Sequence, residues 1–130
     1  MPARQPEPTP DAAPTPTPTS FLPLKPTVFH ALVALGREDR HGYALLKEIE
    51  QASGGVVSLL PAALYRHLQR MLDDGLIEES PRRPARANDD ERRRYYRITP
   101  LGRRVAEGEI RRLEQVLVKA KLGLRPASAR

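Results

Sequence analysis

The sequence contains no cysteine, which excludes disulfides, thiolate metal sites and cysteine nucleophiles. No segment approaches the roughly 18 apolar residues that a membrane span needs, and the N-terminus lacks the apolar run of a secretory signal. We therefore expect a cytoplasmic protein without a membrane partner. The chain also has no glycine-rich phosphate loop, and its three histidines, His30, His41 and His67, are not at metal-ligand spacing. These absences predict a protein that is not an enzyme and that carries no cofactor or metal.

The N-terminal part of the chain differs in composition from the rest. The first 24 residues hold 8 of the 14 prolines and almost no aliphatic side chain before Phe21. Such a segment cannot bury enough apolar surface to offset the entropy lost on ordering. Residues 1–23 are therefore expected to form a disordered Pro/Thr-rich tail.

The remaining chain is strongly basic. The whole chain has a net charge of +6, and residues 25–130 carry 21 basic against 14 acidic residues, or +7. This excess favours a polyanionic partner, either nucleic acid or an anionic membrane surface. A merely soluble charged surface is the alternative.

Three helical patterns follow the tail. Residues 24–36 are apolar around most of the helical wheel, which predicts a buried helix. Residues 41–53 carry one apolar face and predict a second helix. A third helix is predicted from Pro61, a favoured first-turn residue, to Gly75, which ends it. Its core stripe consists of Leu64, Leu68, Met71 and Leu72.

Two strands and a polar loop come next. Residues 76–79 and 94–98 read as the strands of a hairpin, joined by a polar loop over 81–92. A short strand at 56–58 would complete a small sheet. The order helix, helix, helix, strand, loop, strand predicts a mainly α chain with a small β-hairpin, the winged helix-turn-helix. We assign residues 24–98 to this domain.

The last predicted helix begins at Thr99-Pro100, a cap and a first-turn proline, and forms a C-terminal segment over residues 99–124, before a flexible end at 125–130. Six apolar residues in it recur at alternating steps of four and three, which is the seam of a coiled coil. A domain this small cannot cover so long a helix, so the seam predicts a homodimer. Packing within one chain is the alternative. The seam consists of Ala106, Ile110, Leu113, Leu117, Ala120 and Leu124.

Two features of the predicted fold suit DNA. The free face of the third helix is polar, and such a helix can enter the major groove, where Arg and Gln read base edges. The hairpin is rich in arginine, whose planar fork bonds phosphates bidentately. An ordinary solvated helix face and a solvated loop are the alternatives. The candidates are Tyr65, Arg66, His67, Gln69 and Arg70 on the helix, and Arg82, Arg83, Arg86, Arg92, Arg93, Arg94 and Arg97 in the hairpin.

Three motifs together resemble the PadR-like family of transcriptional regulators. The first is His41-Gly42-Tyr43 at the start of the second helix. The second is Ala63-Leu64-Tyr65, followed by Asp74-Gly75-Leu76-Ile77. The third is Arg93-Arg94-Tyr95-Tyr96-Arg97-Ile98-Thr99. In this order and spacing they extend the resemblance over about residues 24–122.

The resemblance implies a dimeric winged helix, usually a repressor, that in some members responds to a small, often aromatic effector. Carried over by position, it implies DNA contacts at Tyr43, Ala63, Tyr65 and Arg70. Ala62 and Ala63 stand where the family commonly has Gly-Thr, so a threonine hydroxyl is missing. The predicted function is a homodimeric regulator, a repressor, that binds double-stranded operator DNA. The alternative is a winged-helix protein-interaction module without sequence-specific DNA binding.

Overall fold

The computed structural model describes residues 17–81 and 94–126. The expected winged helix is confirmed: the described chain is mostly helical, with a small antiparallel sheet. A short 3-10 helix at Pro18–Phe21 comes first. The remaining elements in chain order are α1 (Pro26–Arg37), β1 (Arg40–His41), α2 (Gly42–Ala52), α3 (Pro61–Asp73), β2 (Ile77–Glu79), β3 (Tyr95–Ile98) and α4 (Pro100–Gly123).

Side-chain caps and a left-handed glycine set the helix ends on both sides of the hairpin. The His41 imidazole accepts a hydrogen bond of 3.2 Å from the Ala44 N–H at the start of α2. The Thr99 hydroxyl accepts one of 3.0 Å from the Gly102 N–H at the start of α4, and donates one of 2.6 Å to the Gly75 carbonyl. Gly75 itself has a φ of +77°, a conformation that glycine adopts without strain. Thr99 thus joins the end of α3 to the start of α4.

The sheet has the strand order β1-β3-β2, and both neighbouring pairs are antiparallel. The strand expected at 56–58 is therefore wrong: the third strand is β1, in which Arg40 pairs with Tyr96 of β3. Residues 56–58 follow two left-handed glycines after α2. There the Val57 N–H donates to the Ser53 hydroxyl over 2.9 Å, so this backbone is held in a local turn.

The core lies where α1, α2, α3 and the first half of α4 meet one face of the sheet. Each helix contributes its apolar stripe, and the hairpin contributes one strand residue from each side. The largest fully buried apolar side chains are Leu32, Leu35, Leu45, Ile49, Leu64, Leu68, Met71, Ile77 and Val105. This core fixes α3 from behind and leaves its other side exposed.

The expected disorder of residues 1–23 is wrong for the last part of that segment. We name residues 17–25 the strap; it begins with the 3-10 helix, which packs on α4. Phe21, Leu22 and Leu24 of the strap pack against the core. These three side chains supply the apolar surface that the preceding proline-rich stretch lacks. Residues 1–16 and 127–130 lie outside the described residues.

The two halves of α4 have different surroundings. The first half packs on the core and buries Gly102, Val105, Ala106 and Glu109. Ala106, expected in the dimer seam, is only 8% exposed and belongs to the core of its own chain. Ala106 is therefore not a residue of the dimer seam. At this turn of α4 the apolar seam overlaps the apolar stripe that faces the core of the same chain. No helix in the described segments is long and apolar enough to cross a membrane.

Candidate nucleic-acid interface

The free face of α3 brings together four of the five side chains that the sequence predicts there. Tyr65 is 50% exposed, and the other three, Arg66, Gln69 and Arg70, are exposed as well. Ala63, carried over from the family resemblance, is half-buried near the start of the same helix. The four exposed side chains form one polar patch on α3, and the opposite face of this helix is buried in the core.

Two side chains of this patch have partners one turn further along α3. The Gln69 amide donates to Asp73 over 3.0 Å, and the Arg70 guanidinium lies 3.4 Å from a carboxylate oxygen of Asp74. Exposed pairs of this kind contribute little, about 0–1 kcal/mol, so a base or phosphate can replace the partner. Within the described residues Arg66 has no hydrogen bond or ion pair, which leaves its five donors available.

His67, by contrast, does not lie with the other α3 candidates. It is half-buried, and it faces the strap across a cleft. Burial, and then the nearby charges of Lys25 and Arg66, lower the pKa of His67 below 6.5. Its position follows from helical spacing, since residue 67 is three after the buried Leu64 and four before the buried Met71. We therefore remove His67 from the DNA-facing set.

The starts of α2 and α3 come close together where Gly42 faces Tyr65. The Tyr65 hydroxyl lies where a side chain on Gly42 would begin, 2.8 Å from an ideal Cβ at that residue. Next to Gly42, the Tyr43 ring stacks on His41 with centroids 6.5 Å apart. The Lys47 ammonium lies 4.8 Å from the Tyr43 ring centroid, in a cation–π contact. Tyr43 and Tyr65 thus stand at adjoining helix starts.

Lys47 joins the candidate residues through its contact with the Tyr43 ring. It is exposed on α2 and lies one helical turn after Tyr43, a spacing that places two side chains on one helix face. That spacing was available in the sequence. The positive charge of Lys47 extends the basic surface from α3 onto α2.

The hairpin is described only at its base. Arg94 is exposed and lies 3.4 Å from Glu79 on the opposite side of the hairpin, and Arg97 pairs with Glu78 at 2.7 Å. The Tyr95 ring meets His41 edge-on at 5.4 Å, so β3 contacts the start of α2. The remaining predicted arginines of the hairpin, Arg82, Arg83, Arg86, Arg92 and Arg93, lie outside the described residues.

Comparison with known proteins agrees with this arrangement. The sequence model of one protein family, the transcriptional regulator PadR-like family, matches residues 31–108 of this chain. A PadR family transcription regulator from Clostridium difficile has a TM-score of 0.64 at 20% identity, covering 77% of this chain and 99% of that one. A PadR-like transcriptional regulator from Bacillus cereus also reaches 0.64, at 24% identity, with 76% and 91% covered. RosR of H. salinarum has 26% identity and a TM-score of 0.56, with 83% and 84% covered. No protein with a curated description matches the sequence.

Proposed function

Since this chain belongs to the PadR-like family and is a DNA-binding transcriptional regulator, we propose that it acts as a homodimeric repressor that reads operator DNA with α3. The observation that supports operator reading most directly is the exposed patch of Tyr65, Arg66, Gln69 and Arg70 on a helix fixed from behind. A rigid helix with exposed arginine and amide groups is the usual reader of major-groove base edges.

The contact with DNA is assigned to the second and third turns of α3, ahead of its acidic end. Asp73 and Asp74 end the helix, and their carboxylates would repel a nearby phosphate. Arg66 and Gln69 are three residues apart and therefore neighbours on the helix surface. We assign these two to base edges. Tyr65 and Arg70 remain as their flanking contacts.

Phosphate contacts are assigned to the groups around this patch. Tyr43 and Lys47 lie on α2 beside the Tyr65 contact, and Arg94 lies at the base of the hairpin. Hydroxyl groups and cations at the edge of a reading helix position it on the backbone without specifying sequence. The arginines of the hairpin loop are added to these phosphate contacts on the basis of the sequence pattern alone.

The homodimer is supported by the second half of α4. Ile110, Leu117 and Leu124 are 41%, 54% and 81% exposed, and they recur on one side of the helix. Leu113 and Ala120 of the same seam are half-buried. A contiguous apolar strip of this kind on a soluble protein marks an interaction surface. A two-fold dimer through α4 presents two copies of α3, so we expect an operator with inverted half-sites about one helical turn apart.

The test of operator reading starts from selection of a binding site out of a random duplex library. Arg66→Ala should then lose about 1–3 kcal/mol of binding free energy on the selected duplex and much less on a scrambled one. Arg111→Ala, which removes the same charge from an exposed position on α4, is the matched control. Selection that yields no preferred sequence would favour the protein-interaction module instead.

Repression is tested separately, in a run-off transcription assay. The selected site is placed over a promoter, and added protein should lower the transcript in proportion to site occupancy. An increase in transcript would identify an activator, with the DNA reading unaffected.

A further inference from the structure

The exposed face of α3 continues from the polar patch toward the first turn of the helix. Ala62 precedes Arg66 by four residues and Gln69 by seven, a spacing that places the three on one helix face. All three are exposed, and they lie opposite the buried Leu64 and Leu68. Ala62 is therefore the leading residue of the stripe whose next two members are assigned to base edges.

This leading end is apolar, unlike the rest of the stripe. Leu60, Pro61 and Ala62 are consecutive and all exposed, and Leu60 is 77% exposed. None of the three side chains can donate or accept a hydrogen bond. A phosphate or a polar base edge held against them would lose hydration without gaining a hydrogen bond from these side chains, which weakens binding. The leading end therefore favours an apolar partner.

The backbone fixes the position of the Ala62 methyl group. The Leu60 carbonyl accepts hydrogen bonds from the N–H groups of Ala63, at 3.0 Å, and Leu64, at 3.2 Å. Leu64 is 1% exposed, so the first turn of α3 is tied to the core. An alanine side chain has no rotamer freedom to lose, and its contact costs no side-chain entropy.

One base presents an apolar group in the major groove, namely thymine with its C5-methyl, and alanine is among the side chains that contact it. Four residues of helix rise by about 6 Å, and successive bases of one strand are about 3.4 Å apart. A base in contact with Ala62 therefore lies at most about two positions from the base in contact with Arg66.

We propose that Ala62 makes α3 specific for thymine at one position of each operator half-site, through contact of its methyl group with the thymine C5-methyl. The inference rests on the proposed operator reading and adds one base to it. Leu60 and Pro61 extend the apolar surface beside this contact. Loss of one buried methyl group corresponds to about a fourfold loss of affinity.

The experiment exchanges each thymine of one half-site of the selected duplex, one at a time, for deoxyuridine. Deoxyuridine lacks only the C5-methyl and keeps the same base pairing. Fluorescence anisotropy measures the affinity of the full chain for each duplex. The exchange should weaken wild-type binding about fourfold at one thymine, within about two positions of the base at which Arg66→Ala loses its discrimination.

Two glycine variants make the test specific. Ala62→Gly removes the methyl group on the protein side, so it should bind the thymine and deoxyuridine duplexes equally, within about 1.5-fold. Ala63→Gly is the matched control: it makes the same change at the half-buried neighbouring residue and should keep the fourfold ratio. Each ratio compares two duplexes with one protein, so any loss of helix stability caused by glycine cancels.

The outcomes separate this inference from operator reading. An unchanged ratio in Ala62→Gly, or loss of the ratio in Ala63→Gly as well, would overturn the proposal. So would a selected half-site in which no thymine near the Arg66 position responds to the exchange, although Arg66-dependent binding to that site would leave operator reading intact. Selection that yields no preferred sequence would overturn both.

Discussion

The backbone N–H of Leu24 donates a hydrogen bond of 2.6 Å to Oε2 of Glu109, 85 residues later in the chain. The other carboxylate oxygen of Glu109 accepts from the Arg112 guanidinium. The bond from Arg112 is the main cause that lowers the pKa of Glu109; burial opposes it, and the Leu24 bond adds to it. A buried, ionised carboxylate thus ties the strap to α4.

Removal of this carboxylate should destabilise the fold. Glu109→Ala leaves the Leu24 N–H and the Arg112 guanidinium without their acceptor, and we expect a loss of about 2–4 kcal/mol in the free energy of unfolding. Urea titration measures it. Glu107→Ala, at an exposed position in the same helical turn, should change the free energy by less than about 0.5 kcal/mol. Similar values for the two variants would contradict the role given to Glu109.

The same residue predicts how stability depends on pH. Its pKa in the folded chain lies below the ordinary 4.5, so the unfolded chain binds the proton more readily. The stabilisation is complete above about pH 4.5 and is lost as the pH falls through the folded pKa. Glu109→Gln cannot titrate and should show a flatter profile in this acidic window. Parallel profiles for wild type and variant between pH 5 and pH 2 would rule out this contribution.

The contact between Gly42 and Tyr65 predicts a variant that affects DNA binding without affecting the fold. Gly42→Ala places a methyl group 2.8 Å from the Tyr65 hydroxyl, so this flexible ring must leave its place. We expect DNA affinity to fall about tenfold, or ~1.4 kcal/mol. Gly36→Ala is the control, because a methyl group there meets open space. Anisotropy with the selected duplex measures both, and equal affinities would show that Tyr65 is not placed by this contact.

The exposed strip on α4 predicts a charge-sensitive dimer. Leu117→Glu would put an unpaired carboxylate into the interface, at a cost of several kcal/mol. Light scattering at micromolar concentration should then show a monomer. Gln115→Glu adds the same charge on the opposite side of the helix from Leu117 and should leave the dimer intact. A monomeric wild type would refute the assembly itself.

Elements with a strong start or stop were predicted well from the sequence. Pro61, Gly75 and Thr99 mark ends that the structure reproduces within two residues. Strand β1 was missed because Arg40 and His41 carry no local pattern. They form a strand only because α1 ends close to β3, so that Arg40 and His41 can pair with that strand.

The exposure of the candidate side chains was predicted where helical periodicity alone decides it. That argument placed Arg66, Gln69 and Arg70 correctly on the exposed side of α3. His67 lies at the edge of the apolar stripe of α3 and is half-buried instead. Glu109 could not be found locally, since a glutamate in a charged helix predicts a solvated side chain. Its burial depends on an N–H group that the chain brings back from Leu24.

The match to the family ends at residue 108, one position before the carboxylate that receives the strap. Both partners of the Leu24–Glu109 bond therefore lie outside the matched residues, one on each side of them. The unit that folds is therefore wider than the segment that the family model matches. A fragment trimmed to residues 31–108 would lose both partners of this bond. It would also expose the apolar surface that Phe21 and Leu22 cover.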